Sequence, residues 1–186
     1  MKIHTVDMKH NPAHSVEPFV CGEDVSGAKR AIYERLTALF SHECSRVLLV
    51  TPPESPEKDF NRDLVLSKRY PCFPPYGPGI LARNLEQRGY RSALLDLNFL
   101  VLKHVHEHPQ NFRFQIWKDC LREKIQKFEP DLIGISVMFT ISRPSLADVA
   151  VFLKETYPSI PIIAGGICVS NDVESVLRTV PQIDIG

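Results

Sequence analysis

From Arg46 onward the chain alternates short, unbroken apolar runs with longer stretches whose apolar residues recur at helical spacing. That alternation is how a parallel sheet with crossover helices reads. Val47-Leu48-Leu49-Val50, ended by Thr51-Pro52-Pro53, predicts a first strand buried on both faces. Residues 93–97 predict a second, and Leu132-Ile133-Gly134-Ile135-Ser136 a third, with Gly134 marking a close approach to the backbone. Pro161-Ile162-Ile163-Ala164, closed by Gly165-Gly166, predicts a fourth, and Ile183-Asp184-Ile185 begins a fifth. The sequence stops at Gly186 before that strand is complete, so it reads as a fragment or a shortened relative of something longer.

The helical stretches fall between these runs. Residues 79–88 place Leu81, Ala82 and Leu85 on one face and stop at Gly89, which suits a left-handed C-cap. Residues 111–128 turn Ile116, Cys120, Leu121, Ile125 and Phe128 inward, with Trp117 beside them. A helix from about Ser145 carries Leu146, Val149, Ala150 and Leu153, and Ser145 with Asp148 resembles a capping box. Asn171 is the expected cap of a last helix bearing Val173, Val176, Leu177 and Val180. Residues 54–76 read as a loop rich in proline and charge, and loops of that length in compact domains are often functional. Residues 1–45 read as an N-terminal extension with one helix over 26–40, whose Ile32, Leu36, Leu39 and Phe40 share a face expected to pack on the domain of residues 46–186.

Strict alternation with right-handed crossovers predicts a doubly wound parallel α/β sheet, flavodoxin-like or Rossmann-like, in order 2-1-3-4-5 with the fifth strand truncated. Its ligand crevice lies beyond the carboxyl ends of strands one, three and four. Those ends are Thr51-Pro52-Pro53, Ser136-Val137-Met138-Phe139-Thr140 and Gly165-Gly166-Ile167.

Composition narrows the chemistry. The 186 residues carry 22 basic and 22 acidic side chains, so there is no overall field to draw nucleic acid or anionic lipid. There is no signal-peptide core and no apolar run of membrane-spanning length, which makes the cytoplasm the expected location. The five cysteines, at positions 21, 44, 72, 120 and 168, are too scattered for a disulfide framework and form no CxxC or CxxxCxxC. The chain therefore supplies no sequence motif for an iron–sulfur cluster or a zinc site.

The ordered set RVLLVTPP, YPCFPPYGPGILARNLEQRGY, LLDLN, FEPDLIGISVMFT and IPIIAGGICVS resembles the cobalamin-binding domain that precedes the radical domain of cobalamin-dependent radical S-adenosylmethionine enzymes. The likeness runs from Arg46 to Gly186, and PDLIGIS with IIAGG is also similar to the cobalamin domains of methionine synthase and the mutases. The resemblance implies that cobalamin is the cofactor and that methyl transfer or related radical chemistry belongs to the parent enzyme. Any iron–sulfur cluster and S-adenosylmethionine would then sit in a downstream radical domain or a separate subunit. This chain alone would not be catalytic, and it would have no nucleic-acid or membrane partner. The small residues Gly134, Ser136, Ala164, Gly165 and Gly166 are the implied slot for the cofactor's nucleotide tail, with Ser136 and Thr140 as hydrogen-bond donors and Met138 beside them. Thr51, Pro52, Pro53 and on to Tyr76 would lie under the lower face of the corrin. The synthases and mutases carry DxHxxG after strand one, but here no histidine stands between His42 and His104, so that loop offers cobalt no imidazole.

Two other patterns compete. Gly77-Pro78-Gly79-Ile80-Leu81-Ala82 followed by Asp96 matches a dinucleotide fingerprint, but those glycines should follow strand one directly and instead lie far beyond Val50. His104, His106 and His108 alternate at spacing two and could share a face only on a strand; a solvated loop with no metal role is the expected reading. The alternatives to a cofactor domain are a non-catalytic interaction module that keeps the fold, and a dinucleotide-binding domain.

Overall fold

In the computed structural model the described residues are Gly27, Arg30, Glu34, 37–40 and 43–186. Strand β1 (Arg46–Thr51) is the expected β-branched run, extended by one residue at each end. It starts where the buried Asp131 carboxylate accepts the backbone N–H groups of Ser45 and Arg46, both at 2.9 Å. A 3-10 turn (Glu57–Asp59) and helix α1 (Arg62–Leu66) follow within the long loop. Helix α2 (Tyr76–Gln87) starts three residues earlier than the periodicity indicated. It ends as expected, with Gly89 at φ +86° and the N–H groups of Gly89 and Tyr90 donating to the carbonyls of Glu86 and Leu85.

Strand β2 (Arg91–Asp96) runs straight into helix α3 (Leu97–Glu107), whose second half occupies part of the segment between Leu102 and Asn111 expected as a loop. Asp96 caps it, accepting the N–H of Phe99 at 3.0 Å, and Leu97, Val101, Leu102 and Val105 are buried at helical spacing. Helix α4 (Ile116–Phe128) is shorter than expected, with Trp117, Leu121 and Ile125 buried, and it closes on Glu129 in the left-handed region. Strand β3 (Leu132–Ser136) leads through a 3-10 turn (Thr140–Ser142) to helix α5 (Arg143–Thr156). Ser145 is no cap: it lies inside α5, with Ser142 in the cap position and Pro144 in the first turn. Strand β4 (Ile162–Gly165) is followed by the short helix α6 (Ile167–Ser170) and by α7 (Val173–Thr179). Asn171 ends α6 rather than starting the last helix; Asp172 takes that place and pairs with Arg143 at 3.2 Å.

All four strands are parallel, in order β2-β1-β3-β4. Ile185 makes a parallel bridge to Ile163 of β4, so the fifth strand is begun in the expected position. The Asp184 carboxylate fixes it, accepting from the Ile162 N–H at 2.7 Å and from Lys154 at 2.8 Å.

The register sorts the sheet into two faces. Leu48, Val50, Ile133, Ile135, Ile162 and Ala164 point to one side and form the main core with α3, α4, α5 and α7. Val47, Leu49 and Thr51 point the other way, beside Ser92, Leu94 and Asp96 of β2 and Leu132, Gly134 and Ser136 of β3. Helix α2 lies against this second face over β2, where the Ser92 hydroxyl meets the Ala82 carbonyl. With helices on both faces this is a flavodoxin-like α/β fold. The described residues from Thr37 onward belong to one compact unit. Of the expected helix over 26–40, Gly27, Arg30, Glu34 and 37–39 are helical, Phe40 is not, and the other positions, Ile32 and Leu36 among them, lie outside the described residues. No helix among the described residues is long and apolar enough to cross a membrane.

Candidate functional site

The second face ends, at the carboxyl edge of the sheet, in a row of polar and small residues. Asp96 stands beside Thr51 in the β2–β1 register, and Ser136 stands beside Gly165 in the β3–β4 register. A cavity of about 160 Å³ opens beyond this row. Its walls come from the exit of β1 (Thr51, Pro52, Glu54), the entry to α2 (Phe73 to Pro78), the exit of β3 (Ser136 to Phe139, with Ser142), and Gly166 and Ile167 after β4. The mouth is apolar and open to solvent. Tyr76 is 74% exposed, Ile167 63%, Phe73 53% and Met138 46%, and Phe73 packs on Phe139 with ring centroids 5.3 Å apart. So many large apolar side chains around one opening mark a binding surface rather than scatter.

One atom inside is unsatisfied: Thr51 Oγ1 is buried and has no hydrogen-bond partner. A buried hydroxyl left unpaired is costly, and such groups commonly await a ligand or water.

Glu54 is the one charged side chain in the lining among the described residues. Its backbone is held from two sides: its N–H donates to the Asn98 side-chain oxygen at 3.0 Å, and its carbonyl accepts the Ser142 hydroxyl at 2.9 Å. Burial pushes its carboxyl above the usual range, the negative Asp96 adds to the push, and Ser142 opposes it. Asp96 is also raised, first by burial, while the N–H groups of Phe99 and Asn98 pull it back.

Of the residues singled out from sequence, Thr51, Pro52, Tyr76, Ser136, Met138 and Gly166 line the cavity. Pro53 is buried and Thr140 is exposed on its 3-10 turn, and neither lines it. Ala164 points to the opposite face and is 2% exposed within the main core, so it cannot meet a ligand here. Gly134 sits mid-strand, where an added Cβ would lie 3.0 Å from Leu49 Cδ2. The two glycines after β4 have different reasons to be glycine. Gly166, at φ +94°, faces the Val137 backbone so closely that a Cβ would overlap the Val137 carbonyl, whereas a Cβ on Gly165 would meet nothing within 4 Å.

Glu54 and Phe73 fall within the span expected under the corrin, and Phe139 and Ile167 at the expected strand ends, without being singled out as contacts, whereas Ser142 lies outside every expected span. For Glu54 a signal existed, since it is the first charge after β1. Ser142 offered none, because only the turn after β3 brings it under Glu54.

Most of the long loop is used structurally. Phe60 packs against Tyr70, Phe112 and Phe114 with centroids 5.0–5.4 Å apart, and Val65 joins Leu102 and Val105 in a small core beside α3. Only the two ends of the loop reach the cavity. The histidines are also re-placed. On a helix, spacing two cannot share a face, and it is His104 and His108, one turn apart, whose rings meet at 4.7 Å, with His104 beside Phe112. No histidine lines the cavity, and no group of three or more potential metal ligands occurs among the described residues.

The fold, with a crevice at the carboxyl edge of a parallel sheet, is that of the α/β class whose members bind ligands beyond strand ends. Residues 62–186, about two-thirds of the chain, match the B12 binding domain, and the chain belongs to that family. The match supports cobalamin as its cofactor. It begins within the loop after β1, so Thr51, Pro52 and Glu54 lie outside the matched residues. No protein with curated annotation matches the chain.

Proposed function

We propose that the cavity at the carboxyl edge is the cobalamin site, and that Thr51, Ser136 and the apolar rim are its principal contacts. The observation that carries this is the orphaned, buried hydroxyl of Thr51 beneath a mouth ringed by exposed Tyr76, Phe73, Met138 and Ile167, at the edge where this fold takes ligands. A corrin disc is far too large to enter about 160 Å³, so it would lie across the mouth on those apolar side chains. The open strip above Gly165 is free for a slender appendage such as the nucleotide tail. Cobalamin would supply a cobalt centre that carries an alkyl group, and the chain's own residues would bind the ring, exclude water from one side and offer hydroxyls to its polar groups. The cavity lining offers that cobalt no imidazole.

The finer reading places this domain beside a radical S-adenosylmethionine domain, which would hold the iron–sulfur cluster and serve methyl transfer or related radical chemistry in the cytoplasm. The order of the motifs from RVLLVTPP to IIAGG supports it. Under this reading Pro53, Gly134 and Thr140 act from outside the cavity, as backbone support and rim.

Titration of the purified chain with hydroxocobalamin, followed by visible absorbance and equilibrium dialysis, tests the binding reading, with NAD as the comparison ligand. Saturable cobalamin binding without NAD binding is expected. NAD binding alone would favour the dinucleotide reading, and binding of neither would leave a non-catalytic interaction module. Iron and sulfide analysis of the anaerobically isolated parent protein tests the radical assignment separately.

A further inference from the structure

Among the described residues the cavity lining carries a single charge, and the backbone of the residue that bears it is held in place. Among the described residues Glu54 is the one acidic side chain in a lining otherwise made of apolar side chains, hydroxyls, the Tyr76 phenol and backbone, and none of the lining residues is a lysine or arginine. The groups that act on it from neighbouring elements are Asp96 at the end of β2 and the Ser142 hydroxyl before α5, while Tyr70 and Cys72 on the returning loop feel its charge, and none of these is cationic. Both backbone polar atoms of Glu54 are hydrogen-bonded, to Asn98 of α3 and to Ser142 before α5, so the residue cannot swing away without breaking contacts to two separate helical segments. A carboxyl kept half-buried beside a second carboxyl opposes folding at neutral pH, and an amide of the same shape would lack that penalty. The position therefore has a cost that packing does not explain.

We propose that Glu54 is a specificity residue which gives the cavity its preference for positively charged ligands. This rests on the reading of the cavity as the cobalamin site. Cobalamin exists in forms that share one corrin and one tail but differ in charge. The aqua form carries one more positive charge than the cyano form, and a fixed negative group nearby separates them by Coulomb attraction alone. The same charge repels phosphate-rich ligands of similar size, such as dinucleotides, which need N–H donors or cations at this edge.

The test compares dissociation constants of aquacobalamin and cyanocobalamin for the full chain at about pH 7. All proteins carry Cys72→Ser, so that the exposed thiol cannot displace the exchangeable water of the aqua form. The Glu54-containing protein should bind the aqua form about three- to tenfold more tightly. Glu54→Gln should bind both forms nearly equally, and Glu54→Asp should keep most of the preference. Circular dichroism checks that each variant is folded. A preference that survives Glu54→Gln overturns the proposal while leaving the cobalamin reading intact, and so does equal binding of the two forms by the Glu54-containing protein. Failure of both forms to bind overturns the cobalamin reading and the proposal together.

Discussion

Asn98 ties Glu54 to the far end of the same loop: its side-chain oxygen accepts the Glu54 N–H at 3.0 Å while its amide nitrogen reaches the Pro71 carbonyl at 3.4 Å. Asn98 is 5% exposed, the second residue of α3, and so cannot be replaced by water without opening the fold. The two loop ends that wall the cavity are thereby referred to one rigid helix.

Asn98→Ala should leave the Glu54 N–H without its partner and cost about 1–3 kcal/mol. Urea denaturation reads the loss, and limited proteolysis within residues 54–76 should become faster than elsewhere. An unchanged denaturation midpoint would show that the loop ends are held by other contacts.

Glu54 itself should oppose stability at neutral pH. Its carboxyl is raised in the folded state by burial and by Asp96, so the folded protein binds its proton more tightly than the unfolded chain does. The stabilisation from that proton is complete below the unfolded carboxyl range and is lost as pH rises through the raised value. Glu54→Gln should therefore raise the urea midpoint at about pH 7 and give no gain near about pH 4. A gain equal at both pH values would point to packing rather than charge.

The sheet was legible because each strand is a short apolar run with its own punctuation, and periodicity fixes inward residues such as Leu121, Ile125 and Leu146. Helix α3 was not, because strand β2 passes into it with no intervening turn: Asp96 is both the last strand residue and the N-cap. An apolar stretch such as Ala93 to Val105 carries no internal mark of where period two becomes period 3.6. The strand ends hold Thr51, Ser136 and Gly166, which line the cavity, whereas Ala164 faces the core, because alternation puts neighbouring residues on opposite faces and the sequence does not say which face holds the cavity. Ser142 was invisible since its role depends on a turn 88 residues from Glu54 in sequence.

His104 should make α3 sensitive to acid. Burial lowers its affinity for a proton, His108 and Arg113 add to that, and Glu107 opposes it, while Nε2 is buried without a partner. With its folded-state value below the unfolded one, its contribution is present above the unfolded histidine range and is lost as pH falls through the lowered value. Acidification from about pH 7.5 to about pH 5 should therefore destabilise the protein, and His104→Phe should reduce that loss. The difference between urea midpoints at the two pH values, compared across the two proteins, decides it. An identical difference in His104→Phe would assign the acid response to other groups.

Gly165 and Gly166 allow the turn-forming and ligand-making roles of small residues to be separated within one dipeptide. At Gly166 an alanine would hold φ at +94° and press its Cβ into the Val137 carbonyl, whose oxygen already accepts the Cys168 N–H at 3.2 Å. Both the strain and the overlap act on the folded protein whether or not a ligand is present, so Gly166→Ala should lose about 1–3 kcal/mol or more. At Gly165 the added methyl meets open space, and Gly165→Ala should leave the denaturation midpoint within about 0.5 kcal/mol of the original. Gly165→Leu projects a larger side chain into the same strip and should weaken cobalamin binding at least tenfold if the nucleotide tail lies there, with little change in stability. Denaturation and cobalamin titration of the three variants distinguish the cases. Normal cobalamin affinity in Gly165→Leu would move the tail off this strip and leave the cavity between Thr51 and Ser136 as the binding surface, with Gly165 reduced to the residue that lets β4 end.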